Sequence, residues 1–116
     1  MQYRTCTLFL EKKMNNNFGI YDKSYTLILE SFAQFPEIEK AIIFGSRAMG
    51  NHKKGSDIDI AISGENIDYN TTSRLHGKLN EDLPIPYFVD VVNFNTVTLK
   101  ELKNHIVNNG KTIYKR

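Results

Sequence analysis

Phe44-Gly45-Ser46-Arg47-Ala48-Met49-Gly50-Asn51-His52-Lys53-Lys54-Gly55-Ser56-Asp57-Ile58-Asp59-Ile60 breaks an apolar run at a glycine and resumes, after a polar loop, as an alternation of aspartate and isoleucine. On a strand, side chains two apart share a face, so Asp57 and Asp59 project together while Ile58 and Ile60 project to the other side. At about 6 Å and an effective dielectric near 20, two such carboxylates repel by on the order of 3 kcal/mol, a cost that a divalent cation reverses. Hard oxygen ligands suit Mg²⁺, which is held by one or two carboxylates together with substrate phosphates. Gly45 tolerates any backbone angle and lets a phosphate approach the main chain. Ser46 offers a hydroxyl, and a helical turn starting there would aim N–H groups at an anion. Each feature also has a plainer reading. An Asp-x-Asp pair is commonly a solvated strand face, and Gly-Ser is commonly an ordinary strand-to-loop turn.

Upstream, Ala41-Ile42-Ile43-Phe44 is a short apolar run of the kind found in strands buried on both faces. Ser24 is placed to cap a helix running to Phe35, in which Leu27, Ile28, Ser31, Phe32 and Phe35 form one stripe before Pro36 stops it. Residues 1–23 read as an N-terminal extension, with an apolar patch at Cys6 to Leu10 and with Met14, followed by three asparagines, as an alternative start. Downstream, Ile58, Ile60 and Ile62 alternate up to Gly64 as a second strand. Asn70 to Leu83 suits a helix that the Pro84 to Pro86 stretch ends. Tyr87 to Phe94 reads as a third strand, Thr96 to Asn109 as a helix closed by Gly110, and Thr112 to Tyr114 as a short last strand.

Asp90 lies between Val89 and Val91, and an acid in an apolar strand is either paired or set at a functional surface. Beside the second strand it would complete a three-carboxylate cluster suited to two-metal catalysis. A salt bridge to one of the 15 basic residues is the equal alternative. The order helix, strand, turn, strand, helix, strand, helix, strand predicts an α/β (α+β) domain over residues 24–116 with a small mixed sheet.

Composition excludes more than it identifies. At 116 residues, 41% hydrophobic and 24% charged, the chain has the make-up of one globular domain and not of a disordered or fibrous protein. A net charge of +2 is too slight for a nucleic-acid grip, so no direct nucleic-acid partner is expected. One cysteine, Cys6, permits no internal disulfide. His52, His76 and His105 stand far apart with no Cys or His at zinc-ligand spacing, which predicts surface histidines. No apolar run approaches a membrane span and the N-terminus lacks a signal-peptide core, so a cytoplasmic protein is expected.

Taken jointly, Gly45-Ser46, ten intervening residues, Asp57-Ile58-Asp59 and an aspartate in a strand about thirty residues on resemble the signature of the DNA polymerase beta-type nucleotidyltransferase superfamily. The form Gly45-Ser46-Arg47-Ala48-x-Gly50, five residues, then Ser56-Asp57-Ile58-Asp59 resembles the minimal nucleotidyltransferases of prokaryotic MNT/HEPN toxin–antitoxin pairs. The resemblance implies a polymerase beta-like fold, a small mixed sheet with helices mainly on one face. It implies that Gly45 and Ser46 bind the triphosphate, with Arg47 and Ser56 as further nucleotide contacts. Asp57 and Asp59 would ligate Mg²⁺, in two ions, and Asp90 would be the third carboxylate, which also accepts the proton of the attacking hydroxyl. ATP is the implied substrate and a tyrosine of a HEPN-domain toxin the implied acceptor, which makes the protein an antitoxin. Arg47 has an equal alternative as a helix-surface salt bridge, and His52, Lys53 and Lys54 read as a solvated loop tip.

Larger members of the superfamily grip small substrates with a second domain, for which this length leaves no room, so a protein acceptor is expected to bring part of the site. Two other classes compete. One is a module that neutralises its partner by docking alone, with Tyr87, Phe88 or Tyr69 as exposed anchors, although core packing is the commoner fate of such aromatics. The other is transfer of a nucleotide to an aminoglycoside-like drug.

Overall fold

The alternation from Ile58 to Ile62 becomes the second strand of a four-stranded sheet in a computed structural model that describes residues 16–116. The elements run α1 (Asp22–Ala33), β1 (Lys40–Phe44), α2 (Ser46–Met49), β2 (Ile58–Ser63) and α3 (Tyr69–Gly77). A π-helical turn (Lys78–Asp82), β3 (Val89–Asn93), a 3₁₀ turn (Phe94–Thr96), α4 (Lys100–Asn109) and β4 (Lys111–Lys115) follow. The strand order is β3-β2-β1-β4, with β1 antiparallel to both β2 and β4 and β2 parallel to β3, so the sheet is mixed. The apolar patch at Cys6 to Leu10 and Met14 lie outside the described residues.

Strand periodicity sets the two faces. Ile43, Ile58, Ile60, Ile62 and Val89 point to one side, where α1 brings Ile28 and Phe32, α3 brings Leu75 and the π turn brings Leu79 into the main core. Each such side chain contributes about 1.5–3 kcal/mol when fully buried, so this layer dominates the fold's stability. On the other side Phe44 and Ala61 meet Ile106 of α4, with Ile42, Val92, Phe94 and Leu102 packed around them. The helices thus lie mainly on one face, and α4 covers the middle of the second. The apolar run of β1 is covered on both sides because one of its faces meets each layer.

Several boundaries move from the sequence reading for local reasons. α1 starts at Asp22, an acid in its first turn where the helix dipole favours one, and Ser24 lies buried inside the helix instead of capping it. Ile20 is 1% exposed in the core, and the Asn16 carboxamide caps the N–H groups of Phe18 and Ile20 just ahead of α1. Asp68 caps α3 by accepting the Thr71 N–H at 2.8 Å, and the helix widens into the π turn where a regular helix to Leu83 was expected. β3 stops at Asn93, whose side chain accepts the Asn95 N–H and turns the chain into the 3₁₀ segment, which delays α4 to Lys100.

Candidate active site

β2 and β3 run side by side with Ile58 opposite Val89 and Asp59 opposite Asp90. Because Ile58, Ile60 and Val89 are buried beneath, Asp59 and Asp90 must project together from the face that α4 only partly covers. Asp57, one step before β2, is exposed, while Asp59 and Asp90 are half-buried. Burial pushes the Asp59 carboxyl above the usual carboxylate range. Asp90 and then Asp57 push it the same way, and His105 and Arg47 oppose them. Asp90 and Asp57 thus lie close enough to Asp59 to disfavour its charged form.

β1 delivers the other half. Phe44 pairs with Asp59, and the chain then turns at Gly45 with φ 76° and ψ −155°, a region that essentially only glycine occupies. A Cβ at Gly45 would lie 2.3 Å from Asp59 Oδ2, so the missing side chain is what lets the carboxylate lie against the backbone. Ser46 opens α2 immediately beyond, where the first N–H groups of the turn have no carbonyl inside the helix. The structure thus brings Gly45, Ser46, Asp57, Asp59 and Asp90 to one end of the sheet.

Arg47 and Ser56 sit differently from the expectation that both contact nucleotide. Arg47 is only 2% exposed. Its Nε and Nη2 donate to the Ser56 carbonyl at 3.1 and 2.7 Å, and Nη1 donates to the carbonyls of Phe18 and Gly19 at 2.8 and 3.1 Å. It also lies 4.8 Å over the Tyr87 ring. Its planar fork is spent on tying the segment before α1 to the loop that carries Asp57, a job to which a lysine ammonium is unsuited. The Ser56 hydroxyl accepts the Lys53 N–H at 2.9 Å and closes that loop.

Lys53 and Lys54 are exposed, as a loop tip should be, but His52 is half-buried with its ring against Gly19. A cavity of about 480 Å³ lies there, lined by Tyr21, Arg47, His52, Lys54 and Tyr87 among others, and none of the three aspartates borders it. Tyr87 is half-buried, with its hydroxyl accepting the Tyr21 N–H, whereas Phe88 and Tyr69 are exposed.

Sequence reasoning missed His105. Its spacing predicts a surface histidine, yet its Nε2 accepts the Gly45 N–H at 2.9 Å, across sixty positions of the chain. No spacing signal announces that contact.

The family model described as "Polymerase beta, Nucleotidyltransferase" matches residues 27–116. Comparison with curated proteins finds no match. Among solved structures, a mutant MntA–HpeT toxin–antitoxin is similar with TM-score 0.65 and 23% identity, over 79% of this chain and 73% of that one. A toxin–antitoxin with AMP-PNP is similar with TM-score 0.61 and 25% identity, over 81% and 73%. A tri-AMPylated Shewanella oneidensis HEPN toxin in complex with MNT antitoxin gives TM-score 0.61 and 23% identity, over 81% and 71%.

Proposed function

We propose, from the premise that this chain belongs to the polymerase beta nucleotidyltransferase family, that it moves AMP from ATP to a tyrosine hydroxyl of a HEPN-domain toxin and so acts as its antitoxin in the cytoplasm. The observation that carries the reading is the register that sets Asp59 opposite Asp90, with Gly45 in contact with Asp59 and Ser46 beside it. Support for the nucleotide comes from the similar toxin–antitoxin with AMP-PNP. Support for the acceptor class comes from the tri-AMPylated HEPN toxin in complex with MNT antitoxin, whose likeness is one of fold.

The donor set fits Mg²⁺. Asp57, Asp59 and Asp90 offer only hard oxygens, and burial, followed by the neighbouring carboxylates, penalises the charged form of Asp59, a penalty that a divalent cation relieves. Among the described residues no three His, Cys, Asp or Glu side chains already form a metal cage, so the carboxylates would hold the ions together with the phosphates of the nucleotide. When bound, Mg²⁺, in two ions, supplies positive charge to the attacking and leaving oxygens.

The protein's own groups do the rest. Ser46 and the opening N–H groups of α2 take the triphosphate and orient the α-phosphorus. The acceptor hydroxyl attacks in line, its new O–P bond forms as the bond to pyrophosphate breaks, and Asp90 accepts the hydroxyl proton. Catalysis here is positioning plus a fixed field.

The test is incubation of the purified protein with α-labelled ATP, Mg²⁺ and the product of the neighbouring gene, beside an Asp57→Asn, Asp59→Asn double variant. Label is expected on the partner with wild type and not with the variant. Tight complex formation by both proteins without any label would overturn the reading in favour of docking alone.

A further inference from the structure

Gly45 has left the sheet's hydrogen-bond ladder, since β1 pairs with β2 up to Phe44 and with β4 up to Ile43. A backbone N–H released from pairing in a part-buried place needs another acceptor. His105 supplies it. α4 packs its Ile106 onto Phe44 and Ala61, and this docking carries the neighbouring imidazole over the end of β1. The ring stands edge-on to Phe44, with centroids 6.1 Å apart, and its Nε2 lies 2.9 Å from the Gly45 nitrogen. A neutral ring that accepts at Nε2 carries its proton on Nδ1, and the Asn109 Nδ2 lies 3.3 Å from that atom, one helical turn on. Two donors would face each other there, so the matching arrangement has the Asn109 amide turned to present its oxygen to the ring.

Gly45 is therefore held from two directions, by the imidazole at its N–H and by the Asp59 carboxylate where a side chain would be. Its φ of 76° and ψ of −155° are open to glycine among many other angles, so its neighbours select them. The direction in which the chain leaves Gly45 decides where the Ser46 hydroxyl points. We propose that His105 is a positioning residue for nucleotide binding: by taking the Gly45 amide it keeps the Gly45-Ser46 turn in the shape that receives the triphosphate. The inference rests on the nucleotide reading above.

The test compares wild type with His105→Gln, whose side-chain carbonyl can still accept the Gly45 amide, and with His105→Leu, which fills space against Phe44 without an acceptor. Affinity for Mg²⁺ with AMP-PNP is read by calorimetry, transfer by its KM for ATP and its kcat, folding by thermal melting, and the contact itself by hydrogen exchange of the Gly45 amide. His105→Leu is expected to bind the analogue about tenfold more weakly, the measure of one neutral hydrogen bond, and to exchange the Gly45 amide faster. The loss should appear in KM, with kcat held within about twofold, because the contact acts on binding and not on the reacting atoms. His105→Gln should stay within about threefold of wild type, and both variants should melt cooperatively.

Equal affinity in wild type and His105→Leu, or an equal loss in both variants, overturns the inference. So does an unprotected Gly45 amide in wild type, a result that needs no variant to fold. Failure of wild type itself to bind the analogue would overturn the nucleotide reading and this inference with it. An unaffected His105→Leu beside a wild type that binds would overturn this inference alone.

Discussion

The Asp59 carboxyl is half-buried against Gly45 with Asp90 across the strand pair, and burial and like charge both favour its protonated form. A carboxyl raised in the folded state stays protonated to higher pH there than in the unfolded chain. The stability it contributes is therefore complete below the ordinary carboxylate value and is lost as pH rises through the folded value. At neutral pH the ionised group burdens the nucleotide-free protein. Asp59→Asn removes the charge and keeps the shape, so it is expected to raise the melting temperature by a few degrees at about pH 7 while abolishing transfer. The gain should vanish toward about pH 4, where wild type is itself protonated. Asp68 has the opposite sign: its hydrogen bonds from Thr71 lower its carboxyl, and that stability is lost in acid. The difference between variant and wild type across pH isolates Asp59, because Asp68 is common to both. A variant no more stable than wild type at neutral pH would show that the cluster carries no electrostatic burden.

β3 is the edge of the sheet beside β2, and an edge strand exposes backbone groups that must find partners. The π turn after α3 answers this by swinging Asn80 against the strand. Its Oδ1 accepts the Val89 N–H at 2.8 Å, and its Nδ2 donates to the carbonyls of Val89 at 2.8 Å and His76 at 2.9 Å. A side-chain amide thus stands in for a neighbouring strand at the residue just before Asp90. The wide turn next to the site is explained by that contact, since a regular helical turn would aim position 80 elsewhere. Asn80→Ala is expected to cost about 1–3 kcal/mol in urea unfolding, from stranding both Val89 groups, and to lower transfer by loosening Asp90. Hydrogen exchange at Val89 reports the same event locally, and unchanged protection there would refute the assignment. The placement of Asp59 and Asp90 was legible in the sequence because strand alternation is a period-2 rule that needs no partner to be read. Asn80, His105 and Arg47 were not legible. Each acts on backbone groups between 9 and 60 positions away, and such contacts leave no periodic trace. The cap expected at Ser24 failed for a related reason: Ile20 is drawn into the core, and the capping position falls three residues earlier, at Tyr21.

Across the whole molecule, three separate stretches converge on one end of the sheet: the β1–α2 turn, the start of β2 and the start of β3. No single one of them holds a ligand by itself. Among the described residues no three metal-ligating side chains form a cage, and Arg47 of α2 is committed to backbone carbonyls, so metal and nucleotide are expected to complete one another's site. Binding of either to the native state raises stability by mass action, and binding of both raises it by more than the sum when each supplies ligands to the other. Mg²⁺ alone is expected to shift the melting temperature little, because it meets two or three carboxylates and otherwise water. ATP alone should also shift it little, since its phosphates face unneutralised aspartates. Together, at about a hundredfold excess over Kd, they should add about 2.7 kcal/mol, on the order of 10 °C in melting temperature for a domain of this size. Chelation with EDTA should return the protein to its nucleotide-free melting point. The decisive comparison is a four-cell melting experiment with neither ligand, each alone and both. A large shift with Mg²⁺ alone would mean that the carboxylates form a ready-made metal site, and the shared-site account of the convergence would fall.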